Sequence, residues 1–158
     1  MGRDKKYFFS ILLGLSLMSF FLIRLQQNCI NNWKTQANKN RGLFLLMNQW
    51  INLKQDEKKV EEYFIQKNLK RIAIYGMGYV GKRLVKELKR TEIEVVYGID
   101  RNAADIFSEI ELVTMDDDLE DVDAVVVTLV DEYDTVCDIL SQKVKCPVIA
   151  IEDIINEV

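Results

Sequence analysis

The chain is 158 residues long, 49% apolar and 29% charged, which suits one domain with an appendage and excludes a disordered or collagen-like chain. It has no histidine, so Ser-His-Asp and Cys-His chemistry are excluded and the commonest metal ligand is missing. The net charge of −4 is unevenly divided: residues 1–70 hold twelve Lys/Arg against five Asp/Glu, and residues 71–158 nine against twenty, so the C-terminal half offers no positive face to nucleic acid.

Residues 7–23 contain no charged side chain and are flanked by Arg3, Lys5 and Lys6 before and Arg24 after. As a helix the run would span about 25 Å at roughly 1.5 Å per residue, slightly less than a bilayer core, a gap that snorkelling of Lys6 and Arg24 would close. The bulky, polar stretch Arg24–Cys29 supplies no signal-peptidase site. Residues 1–30 are therefore expected to form a membrane anchor or in-plane membrane helix, with a helix packed against protein as the alternative. Both flanks are positive, which fits the anionic cytoplasmic leaflet of the inner membrane, or the cytoplasm if the helix packs on protein. Cys29, Cys137 and Cys146, odd in number and without a C-x-x-C pair, agree with a reducing compartment.

Residues 31–70 read as a helical linker. The Asn/Lys-rich stretch 31–40 with Gly42 predicts a loop. Leu43, Leu46, Met47, Trp50 and Leu53 then mark one apolar stripe of a helix over 43–54. Val60, Tyr63 and Phe64 repeat that spacing within Asp56–Lys67, with Asn68 as the stop. Tyr63 and Lys67 share the Tyr-x-x-x-Lys spacing of short-chain dehydrogenases, but they precede the nucleotide-type strand instead of following it, and no catalytic role is assigned to them.

The third region, 71–158, opens with a short apolar strand, Ile72-Ala73-Ile74, followed at once by Gly76-x-Gly78-x-x-Gly81 and a helix carrying Val80, Leu84, Val85 and Leu88. In this context Gly76 permits the tight turn, Gly78 lets a pyrophosphate approach the backbone, and Gly81 lets the helix lie close to the strand. Amides across Gly76, Met77, Gly78, Tyr79, Val80 and Gly81, at a positive helix tip, would hold the diphosphate. A second strand ends at Asp100, 22 residues after Gly78, where a carboxylate would accept ribose hydroxyls; Arg101 beside it would suit a 2′-phosphate, leaving NAD and NADP both open.

Beyond Asp100 one turn or a loop is expected over 101–109, then a small strand at 111–113. The acidic stretch 116–123 reads as a solvated turn. A buried strand follows over 122–129, then a helix over 131–142, a strand over 147–151 and a closing turn or helix. Right-handed crossovers then give an α/β Rossmann-like fold with a five-stranded parallel sheet of order 3-2-1-4-5. Thr128 and Tyr133 would line the crevice at the carboxyl ends of the strands.

The run Ile-Tyr-Gly-Met-Gly-Tyr-Val-Gly at 74–81, Tyr-Gly-Ile-Asp-Arg-Asn at 97–102, Val-Asp-Ala-Val-Val-Val-Thr at 122–128 and the final Cys-Pro-Val-Ile-Ala-Ile-Glu-Asp-Ile resemble small Rossmann domains of bacterial glycan-biosynthesis proteins. These include the N-terminal domain of nucleotide-sugar acetyltransferases and the C-terminal domain of sugar C-methyltransferases. The segment 44–50 is similar to the helical preamble of stand-alone members that accompany glycosyltransferases. The chain lacks the acetyltransferase β-helix and the methyl-donor domain, so neither transfer reaction is implied. The resemblance implies a nucleotide- or nucleotide-sugar-binding accessory protein taking NAD(P) or a UDP-sugar. A ligand-free module recruiting a glycosyltransferase and a subunit of an NAD(P)-dependent oxidoreductase stand as alternatives.

Overall fold

The structure is a computed structural model that describes the backbone of residues 3–158 and the side chains from residue 17 onward. Its elements are α1 (Arg3–Gln55), α2 (Glu61–Gln66), β1 (Arg71–Tyr75), α3 (Tyr79–Leu88), β2 (Glu94–Ile99), a 3-10 turn (Ala103–Asp105), β3 (Glu111–Val113), β4 (Ala124–Val127), α4 (Tyr133–Leu140), β5 (Val148–Ala150) and α5 (Ile151–Glu157). The chain forms two compact units, residues 1–41 and residues 42–158.

In the first unit α1 stands with Leu17, Met18, Phe20, Phe21, Leu22 and Ile23 all exposed. No helix among the described residues is long and apolar enough to cross a membrane, and much of the expected anchor, residues 7–16, has side chains outside the described set. The expected loop at 31–40 is instead part of α1, which runs unbroken through it. Asparagine costs only a few tenths of a kcal/mol per helical position, and the stretch has no proline to break the hydrogen-bond ladder. Gln36 also donates to Asn40, one turn on, at 3.2 Å.

The second unit is built on the parallel sheet β3-β2-β1-β4-β5, the expected order. The strands that the apolar runs predict are all present, and each α-helical connection returns to a parallel neighbour. One face of the sheet, carrying Ile72, Ile74, Ala124 and Val126, packs against the C-terminal end of α1 (Leu46, Trp50, Leu53), α2 (Phe64), α3 (Leu84, Leu88) and α5 (Ile151, Ile154). The other, carrying Ala73, Tyr75, Tyr97, Val125 and Val127, is covered by α4 through Val136 and Leu140. The end of α1 is thus part of the domain core.

Gly42 sits inside α1 because the helix passes close to the loop after β4: a methyl there would come within 2.9 Å of Val130 Cγ1. The helix stops in a left-handed cap. Glu57 has φ +59°, Lys58 N–H bonds Leu53 O at 3.1 Å, and Glu57 N–H bonds Lys54 O at 3.2 Å. Asn68 (φ +55°) ends α2 in the same way, with Leu69 N–H on Phe64 O at 2.9 Å. Tyr63 and Lys67 serve packing: the ammonium lies 4.6 Å from the ring centroid and pairs with Glu157 at 2.7 Å.

Asp123 fastens the start of β1 to β4. Its Oδ2 accepts the amides of Lys70 and Arg71, both at 2.8 Å, and these bonds hold its carboxyl below the usual carboxylate range. A depressed carboxyl stabilises the fold above its ordinary titration and loses that contribution as pH falls through the lowered value. Asp123→Asn is therefore expected to lower stability at neutral pH and to flatten the acid limb of a pH–melting curve. Leu46→Ala, at a position 1% exposed, should cost about 2–5 kcal/mol in urea unfolding, like other core truncations.

Candidate functional site

The turn between β1 and α3 is shaped by glycine at two points. Gly76 has φ +93°, a region that side chains rarely enter, and its N–H bonds Ile99 O at 2.9 Å. Gly81 lies so near β1 that a Cβ would fall 2.2 Å from Gly76 O. That same carbonyl accepts the Thr128 hydroxyl at 2.6 Å, with Thr128 only 4% exposed at the end of β4. Thr128 N–H also bonds Tyr75 O at 2.9 Å. Thr128, expected as a crevice-lining group, is thus a buried latch joining β4 to the glycine turn.

Gly78 differs from both. It caps α3 without a side-chain bond, its carbonyl accepts Lys82 N–H at 3.1 Å, and the space a Cβ would occupy holds nothing within 4 Å. Beyond it the first-turn amides of α3, at Tyr79, Val80 and Gly81, are those that helix geometry leaves without an i−4 carbonyl. No acid occupies that turn, and Lys82 and Arg83 follow it. Tyr79 is almost fully exposed beside the turn, whereas Val80 is buried in the core with Leu84.

Met77 turns inward, 2% exposed, with its sulfur 2.8 Å from where a Gly98 methyl would stand. Its amide is taken by Asp100 Oδ2 at 2.8 Å, while Asp100 Oδ1 accepts Asn102 N–H at 2.9 Å. The structure therefore brings Asp100 to the turn, as spacing predicts, but puts it on backbone amides. Each carboxylate oxygen keeps a second lone pair for a further donor. Arg101 is exposed immediately beyond it.

Tyr133, also expected in the crevice, packs in the opposite core and donates its hydroxyl to Val148 O at 2.8 Å; burial pushes the phenol up to about 12. Asp116–Asp118 form a turn in which Asp117 Oδ2 accepts Thr114 N–H at 2.6 Å, and no group among the described residues is arranged to hold a metal. One group escaped the sequence reading. Glu152, in the first turn of α5, is half-buried, has one oxygen without a protein hydrogen bond, and is raised by burial and then by nearby Asp153 and Asp131. An acid early in a helix is ordinary in sequence, so nothing there set it apart.

Gly78 and Gly81 should separate in mutagenesis. Gly78→Ala meets open space and is expected to lose only the small N-cap preference of glycine over alanine, about 1 kcal/mol at most, whereas Gly81→Ala must move α3 or the Gly76 carbonyl, at a larger cost of about 2–3 kcal/mol. Thermal melts of the two variants beside the parent chain check both.

Comparison of the chain with protein-family models, with curated proteins and with solved structures gives no match.

Proposed function

We propose that this chain is a nucleotide- or nucleotide-sugar-binding accessory protein that holds a diphosphate at the amino end of α3. The observation carrying this reading is the open face of Gly78 at a helix tip that has no acid and is backed by Lys82 and Arg83. An anion there would meet unpaired amides and the positive end of the helix dipole. Five of the nine Lys/Arg in residues 71–158 lie between 82 and 90, in a half that is otherwise strongly acidic. Asp100 stands where a ribose hydroxyl could donate to its remaining lone pairs, and Arg101 beside it keeps NAD, NADP and UDP-sugars all in play.

The setting in surface-polysaccharide synthesis rests on motif resemblance at 74–81, 97–102 and 122–128. Membrane association rests on the uncharged run 7–23, whose described side chains from Leu17 to Ile23 include Phe20 and Phe21, each more than half exposed. A helix apolar on every side needs lipid or protein around it. An anionic inner leaflet would suit the basic residues on both flanks.

A specific observation favours a second reading, the ligand-free module that recruits a glycosyltransferase. Asp100 and Thr128, the polar groups at the turn, already satisfy backbone atoms: the turn's own Met77 N–H and Gly76 O, and Asn102 N–H after β2. An oxidoreductase is the weakest of the three, because no histidine is present and Tyr133 is committed to Val148.

Thermal shift of the full chain against NAD, NADP, UDP and UDP-sugars distinguishes the readings. A bound ligand at 100 times its dissociation constant adds about 2.7 kcal/mol and raises the melting temperature. Gly78→Asp should abolish that rise while keeping the unliganded melting point, since the new carboxylate enters open space and repels phosphate. A melting temperature unmoved by every nucleotide would leave the interaction module in place of the nucleotide carrier.

A further inference from the structure

Apart from the glycine turn, the second unit carries a groove of about 600 Å³ between the C-terminal end of α1 and α3. That volume lies in the range of small-molecule sites. Met47, Ile51, Lys54 and Gln55 recur along one side of α1, and Arg83, Lys86 and Glu87 along one side of α3, at the three- and four-residue steps that share a helix face. Met47, Trp50 and Ile51 make its apolar part, and Ile51 is 56% exposed.

The charges are one-sided. The one acid among the described residues lining the groove, Glu87, is already committed: Trp50 Nε1–H donates to it at 3.0 Å and Lys54 pairs with it at 2.5 Å. Arg83 and Lys86, both exposed, form no salt bridge among the described residues. Glu109, which feels Lys86, is paired with Lys89. Open apolar surface therefore adjoins two cations that no carboxylate holds.

We propose that this groove binds an anionic lipid, its phosphate on Arg83 and Lys86 and one acyl chain against Met47, Trp50 and Ile51. Three features select that occupant. A guanidinium and an ammonium one turn apart suit a phosphate. The walls are helices whose backbone groups bond within the helix, so an extended peptide would find no main-chain partners, whereas an acyl chain needs none. Nucleic acid would have to continue along a half that carries twenty acids against nine basic residues.

Trp50 reports on the groove directly. The chain has two tryptophans, so Trp33→Phe leaves Trp50 as the sole indole. The full chain in neutral detergent is titrated with phosphatidylglycerol brominated on its acyl chains and, separately, with brominated phosphatidylcholine, and the loss of indole fluorescence is read. Phosphatidylglycerol should quench at a lower mole fraction than phosphatidylcholine. Lys86→Gln should raise the amount needed about fivefold, and Lys86→Gln with Arg83→Gln about 30-fold, the factors for one and two cations at an anionic surface. Ile51→Asp should abolish the quenching. All three positions are exposed, and an unchanged melting temperature confirms that each variant keeps its fold. Arg83 also backs the glycine turn, but Lys86 and Ile51 do not touch it, so lipid binding and nucleotide binding fail separately. Equal quenching by the two lipids, or quenching untouched by Lys86→Gln and Ile51→Asp, would overturn the proposal. Full displacement by inorganic phosphate would reduce the groove to a plain anion site and overturn it too. No quenching by either lipid would do the same and leave the groove to an acidic helical partner.

Discussion

The carbonyl oxygen of Gly76 is the point at which β1, α3 and β4 are joined. Gly81 presses on it from the helix so closely that no side chain fits between them, and the Thr128 hydroxyl donates to it from the neighbouring strand. The backbone at Gly76 must take a positive φ to place that oxygen, and its own amide is spent on Ile99. Three secondary elements are thereby located by one acceptor, which fixes where the tip of α3 emerges from the sheet. Gly78 then faces outward because its two neighbours in the motif face inward.

Electrostatics adds a second layer. Residues 71–158 are acidic, yet five of their nine basic residues lie along α3 and just beyond its end, while many of the acids crowd into the turns at 116–123 and the region after β4. Asp100 has both oxygens on backbone amides, Met77 N–H and Asn102 N–H. Such bonds pre-position a carboxylate at no cost to its remaining lone pairs.

Much of this was legible in the residues. Ile72–Ile74 and Val125–Val127 read as buried strands because unbroken apolar runs suit a sheet covered on both faces, and the glycine spacing located the turn between β1 and α3. The continuity of α1 was not legible. Asparagines and Gly42 punctuate a chain only when tertiary contacts leave the backbone free to turn, and at Gly42 the close approach of Val130 gives the glycine a packing reason instead. The orientations of Thr128 and Tyr133 were equally hidden. A hydroxyl at a strand end or in a first helical turn reads the same whether it meets a ligand or a main-chain carbonyl.

The seat of Met77 has an evolutionary corollary. Its thioether fills the space over Gly98, with Leu112 closing the other side at 2.7 Å from the absent methyl. Volume at residues 77, 98 and 112 is therefore constrained as a sum and not position by position. A descendant that acquires alanine at 98 should carry a shorter residue at 77 or 112, and the paired change would mark β2 as the neighbour of the turn after β1 or of β3 to anyone comparing homologous chains.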